Sequence, residues 1–166
     1  MALLYLLGLS LLALLGAASP PLSLRDNTPG TISSPPDGSA IAPGANFDFS
    51  YNTRADYGIS SYNYTVWLWS SLPGGVSQQF ATGHYFGRFS EENYPGNPNP
   101  QNPAPPQLTM PDLADSLGGF GAGAYGSNIK LYLVVIEEWG SGQGSLGTRF
   151  SQTSNALIYN ATIATR

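Results

Sequence analysis

Acidic residues are the first place to look for chemistry in this chain. Glu137-Glu138 closes an apolar run, Glu91-Glu92 sits in a polar stretch, and Asp56, Asp112 and Asp115 are scattered around them. Glycoside hydrolysis needs two carboxyl groups a few ångströms apart, one of them to protonate the leaving oxygen. Neighbouring residues on a strand point to opposite faces, so neither Glu-Glu pair is a ready-made couple. The plainer expectation is that these are solvated charges at a strand end and in a loop. His84 is the only histidine. A Ser-His-Asp arrangement would have to use it, yet no G-x-S-x-G elbow flanks any serine. It reads as a strand histidine hydrogen-bonded to its neighbours. One histidine and no cysteine argue against zinc. A calcium site from Asp48, Asp56 or Asp112 has no supporting spacing. We therefore expect no catalytic residue, metal or cofactor.

Aromatic residues offer a different chemistry. Trp67 and Trp69 alternate along one strand face, the face that also carries Asn63. Two exposed indoles rimmed by polar groups make a platform that stacks on sugar rings or anchors a partner. The competing expectation buries them under the proline-rich loop. Tyr57, Tyr85, Tyr94 and Tyr125 fall in or near turns, among Ser, Gly and Asn, a composition typical of adaptable binding surfaces. The candidate contact residues are Trp67, Trp69, Tyr85 and Tyr94. Two triplets, Asn63-Tyr64-Thr65 and Asn160-Ala161-Thr162, are N-glycosylation acceptors. In both, the asparagine falls opposite the inferred core residues, as an attached glycan requires.

The elements that must position these residues are strands. Phe47, Phe49 and Tyr51 alternate with Asp48, Ser50 and Asn52, the period of a half-buried strand. Thr31 to Ser34 reads as a short edge strand and Ser39 to Gly44 as a strand and turn. Tyr62 to Ser70 is the next strand, with Tyr62, Tyr64, Val66 and Leu68 on its core face. Gln78 to Phe86 follows a Pro-Gly-Gly turn. Residues 94–106 contain six prolines and form an extended loop. Gln107 to Met110 reads as a short strand, and residues 118–126 as a glycine-rich turn. Ile129 to Glu138 is apolar and rich in β-branched residues, so it reads as a central strand buried on both faces near its end. Leu157 to Ile163 is the last strand. No segment carries a sustained helical period with caps. The expected fold is an all-β antiparallel sandwich of about seven strands, Ig- or fibronectin-III-like, with a closed barrel as alternative.

Composition narrows the partners. Six basic residues stand against ten acidic ones, for a net charge of −4. That argues against a nucleic-acid backbone or an anionic lipid surface as partner, since both require clustered cations. With no cysteine, core burial must do what disulfides do in many small secreted domains. Residues 1–18 read as a secretory signal peptide: Ala2 to Leu15 is uncharged, and Gly16 and Ala18 have the spacing of a cleavage site. That run is too short to span a bilayer comfortably. Residues 19–38 form a proline-rich lead-in, and 39–166 the β-sandwich domain. An extracellular, soluble protein without stable membrane insertion is expected.

The Pro35-Pro36-Asp37-Gly38-Ser39 turn, Ile41-Ala42-Pro43-Gly44 and the Phe47 to Tyr51 strand together resemble small secreted proteins of filamentous fungi, as does the run from Ala55 to Leu68. The pattern is similar to two groups. One is the Ig-like domain of fungal cell-wall, Ser/Thr-rich GPI-anchored proteins; the other is the necrosis-inducing secreted effector family. The likeness covers Pro35 to Leu68 best and carries no functional residue across. The chain lacks the Ser/Thr-rich stalk and the anchor signal. The resemblance implies a secreted β-sandwich that binds cell-wall polysaccharide or an extracellular protein. The alternatives are a host-directed effector binding a plant protein, and a hydrolase using Glu137, Glu138 or Asp56.

Overall fold

The computed structural model describes residues 29–53, 59–73, 82–90, 102–113, 128–141 and 148–160. Nine strands run through them: β1 Thr31–Ser34, β2 Ser39–Ile41, β3 Asn46–Asp48, β4 Ser50–Asn52, β5 Ile59–Trp69, β6 Gly83–Ser90, β7 Gln107–Thr109, β8 Ile129–Ser141 and β9 Thr148–Tyr159. No helix occurs among the described residues. The expected signal peptide, the first half of the proline-rich lead-in, most of the proline loop and the glycine-rich turn lie outside them.

One sheet holds five strands in the order β2-β9-β8-β5-β6. The apolar run forms its middle strand, as its β-branched composition predicts. Leu131, Leu133, Val134 and Val135 are all fully buried, so this strand is covered on both faces. The facing layer is built on residues 46–52. Their first half, β3, pairs with β7, and their second half, β4, pairs with β1. At the break, the Phe49 amide donates to the Pro106 carbonyl at 2.8 Å. The strand thus changes partners without leaving a buried amide unpaired, as burial demands.

The period-two pattern sets the core. Phe47, Phe49 and Tyr51 point inward and meet Tyr64, Val66 and Leu68 of β5, with Phe89, Leu131, Leu133, Val135, Leu157 and Tyr159 completing the cluster. Asp48, Ser50 and Asn52 face solvent. Tyr64 lies at the centre of an aromatic group, 5.1 Å from Tyr51 and 5.9 Å from Phe89 between ring centroids. The result is an all-β, two-layer, sandwich-like fold rather than a closed barrel.

Three expectations need correction. The fold is not purely antiparallel, because β2 runs parallel to β9. The turn between β1 and β2 secures that pairing: Asp37 Oδ1 accepts from the Ala156 amide and the Gly38 amide donates to the Ala156 carbonyl. Second, β9 begins at Thr148, nine residues before the expected start at Leu157. Apart from Phe150 its early residues are polar on both faces, so no apolar alternation marks them. Third, β6 runs on to Ser90 rather than ending at Phe86, while residues 78–81 of the expected strand lie outside the described residues. A bulge opposite Val66 and Trp67 absorbs Phe86 and leaves Gly87 facing the core with φ of 154°. A side chain there would collide with the Phe89 ring.

Candidate functional site: two faces of one sheet

The ladder registers assign every described side chain of the main sheet to one of two faces. Across the inner face run the rows Tyr64–Glu137–Ser151 and Val66–Val135–Thr153. Across the outer face run Asn63–Glu138–Phe150, Thr65–Ile136–Gln152 and Trp67–Val134–Ser154. Tyr85 of β6 stands level with Trp67.

The outer face carries the aromatic cluster. Trp67 and Tyr85 have ring centroids 4.5 Å apart and planes tilted by 46°. Trp67 and Trp69 are 6.5 Å apart and tilted by 52°. Tyr85 is 46% exposed, and Trp67 is half-buried. Trp69, a candidate for the open platform, is only 8% exposed, which agrees with the competing expectation that this indole is buried. It belongs to the packing of this face and offers nothing to a ligand. Strand phase places an indole on a face, but only tertiary structure decides what lies over it. The available surface is therefore the Trp67–Tyr85 pair. Phe150 extends the apolar surface of the same face at 61% exposure. Phe150 was not singled out in the sequence, because the strand that carries it shows no apolar period. Tyr94 lies outside the described residues, as do Tyr57 and Tyr125.

The inner face holds the unexpected group. Glu137 is not a solvated strand-end charge: it is fully buried. Tyr51, from the opposite layer, donates its phenol proton to Glu137 Oε2 at 2.6 Å. Burial first, then this bond to the carboxylate, push the Tyr51 phenol well above its ordinary range. Beside them Thr153 donates to the Gly30 carbonyl at 2.9 Å, and Asn155 donates to the carbonyls of Ile32 and Pro35. These polar side chains of β9 tie β1 to the sheet edge. Gly30 comes so close to the Tyr51 hydroxyl that a methyl group there would overlap it. Ser151, level with Glu137, keeps a buried hydroxyl oxygen that has no hydrogen-bond partner among the described residues.

Glu138 points the other way. Its Oε2 accepts from Arg88 at 2.8 Å in an ion pair whose side chains are 51% and 36% exposed. The two adjacent glutamates are thus separated by the sheet itself, as strand alternation requires. Asp56, Glu91, Glu92 and Asp115 lie outside the described residues. Asp48 accepts from Gln107 at 2.9 Å, and Asp112 lies 3.5 Å from the Tyr159 hydroxyl. Among the described residues, no three His, Asp or Glu side chains gather into a metal-binding group. His84 is exposed at its edge and packs against Phe86, with centroids 4.8 Å apart in a T-shaped contact. Partial burial lowers its pKa below the ordinary histidine value.

Of the two glycosylation acceptors, the ladder register places only Asn63 on a face, and the rest of the second triplet, Ala161-Thr162, lies outside the described residues. Asn63 is half-buried on the outer face, level with Glu138 and Ser90. Asn160 follows β9 directly, and its amide donates to the Ile41 carbonyl at 3.1 Å. Comparison of the chain with known protein families, characterised proteins and solved structures found no match.

Proposed function

We propose that this chain is a secreted, non-enzymatic, Ig-like β-sandwich that binds an extracellular protein or glycan through the outer face of its main sheet. The observation that carries this reading is the Trp67–Tyr85 pair, with Tyr85 46% exposed on a regular sheet rather than a loop. Aromatic side chains held on a rigid element present large contact area at little entropic cost. Their mutual tilt of 46° does not offer the aligned ring faces that a flat crystalline polysaccharide needs. It suits a protein surface or a single flexible glycan chain.

The strand order supports the Ig-like part. β9, β8, β5 and β6 stand in the order of the G, F, C and C′ strands of a variable-type immunoglobulin sheet, and the β1/β3/β4/β7 layer lies opposite. The reading against an enzyme rests on the carboxylates. Glu137 is sealed in the core against Tyr51, and Glu138 is on the other side of the sheet against Arg88.

The test is retention of the purified protein on insoluble chitin, β-glucan and cellulose and on immobilised extracellular proteins, with Tyr85→Ala beside the native chain. Binding lost in the variant, with an unchanged circular-dichroism spectrum, supports the reading. Equal retention of both proteins refutes it. Binding to the protein fraction alone selects a protein partner, including the host-directed case.

A further inference from the structure

Asn63, Thr65 and Trp67 are alternate residues of β5 and therefore share its outer face. The indole is drawn back along the strand, because Trp67 Nε1 donates to Thr65 Oγ1 at 3.0 Å. Its ring thus leans towards Asn63, with Tyr85 packed against it at 4.5 Å. Four strand residues cover about 13 Å, a span that an asparagine side chain and the first two sugars of an N-glycan can bridge. Arg88 and Glu138 rim this track and offer a donor and an acceptor to sugar hydroxyls.

We infer that an N-glycan on Asn63 lies along the outer face, with its first sugars over Thr65 and against the Trp67–Tyr85 pair. The apolar C–H face of a pyranose packs on the aromatic rings, while its hydroxyls and acetamido groups meet the polar rim. Because the sugar is tethered to the same strand, this contact is intramolecular and forms at a high effective concentration. The inference rests on the extracellular reading above, since N-glycans are attached to exported chains. The second acceptor is a built-in control. Asn160 lies ten residues beyond Phe150, which is level with Asn63, so its glycan starts about 33 Å away along β9.

The experiment uses the full chain secreted from a eukaryotic host, with intact mass reporting occupancy of each acceptor. Thermal midpoints are then compared for Asn63→Gln and Asn160→Gln, each in the native and the Tyr85→Ala background. The expected result is that Asn63→Gln lowers Tm by about 2–4 °C in the native background and by much less when Tyr85 is absent. Asn160→Gln should shift both backgrounds equally. A second readout is acrylamide quenching of Trp67, taken as the difference between the native chain and Trp67→Phe, before and after endoglycosidase trimming. Quenching should rise on trimming. Equal Tm losses for Asn63→Gln in both backgrounds, unchanged quenching, or a bare Asn63 would each overturn the inference. None of these readouts involves an external ligand, so a failed retention assay would leave the result standing. Because a glycan seated on the Trp67–Tyr85 pair covers the surface proposed above for a partner, retention is measured on the endoglycosidase-trimmed chain as well.

Discussion

The two sides of the β5–β8 pair place similar resources to opposite uses. On the inner side, a carboxylate, a phenol and several hydroxyls meet in the core, where each serves to hold one layer against the other. On the outer side, apolar rings sit near solvent beside an exposed ion pair. Of the two described glutamates of β8, Glu137 is thus sealed from solvent and Glu138 is open to it. A buried Glu137 bonded to Tyr51 resembles catalytic machinery in composition, but its burial makes it a fixed polar joint. Such joints are costly to disturb, since an acceptor left without its donor in the core loses the compensation for its desolvation. The outer aromatics carry no such obligation.

The sharpest way to break this contrast lies within the outer face itself. Trp69→Ala removes an indole that is 8% exposed and should destabilise the fold by about 3–5 kcal/mol in denaturant unfolding. Tyr85→Ala, made in the unglycosylated chain, should change stability by about 0.5 kcal/mol or less. Were the two equally mild, Trp69 would be a surface residue and the platform would regain its second ring.

On the inner side, Tyr51→Phe keeps the ring and its packing against Tyr64 but deletes one donor to Glu137. The expected loss is about 1–3 kcal/mol. The double variant with Glu137→Gln should recover part of it, because a neutral amide suffers less from losing a donor than a carboxylate does. A purely additive pair would mean that the 2.6 Å contact contributes nothing specific.

How much of this was legible beforehand follows from the patterns involved. Phe47, Phe49 and Tyr51 were placed correctly because strict apolar alternation has one solution on a half-buried strand. The middle position of β8 followed from its β-branched run. The first half of β9 was missed, since Ser151, Thr153 and Asn155 face inward while Phe150 faces out, which inverts the usual pattern. Those inward polar groups are explained by β1, whose backbone carbonyls they bond. That pairing joins residues some 120 positions apart and leaves no local trace. Glu137 was misjudged for the same reason: its partner is 86 residues away, in the other layer. For Trp69 the strand phase gives the face and leaves exposure open, because what lies over a face is set by distant parts of the chain.

Alkaline titration adds a pH axis to the inner side. The folded Tyr51 phenol holds its proton far more tightly than an unfolded one, which ionises near pH 10. Below that pH the fold keeps this contribution in full. As pH rises through the unfolded value, the unfolded state releases a proton the folded state retains, and stability must fall. Unfolding midpoints measured from pH 8 to pH 11 should decline above about pH 10, and the decline should be shallower in Tyr51→Phe. Equal slopes would assign the alkaline loss to other tyrosines.

A small effect of another kind belongs to the outer ion pair. Arg88 and Glu138 meet at 2.8 Å, but their side chains are 51% and 36% exposed, so water and salt screen the attraction. Arg88→Ala should cost only about 0.2–1 kcal/mol, and about half a molar of added salt should remove most of the difference. The adjacent Glu137 tests the comparison under the same conditions. Its bond to Tyr51 is out of reach of counterions, so the Tyr51→Phe deficit should stay the same as salt rises. If salt erased both deficits alike, the carboxylate on the inner face would have to be open to solvent, and the division of labour between the two faces would collapse.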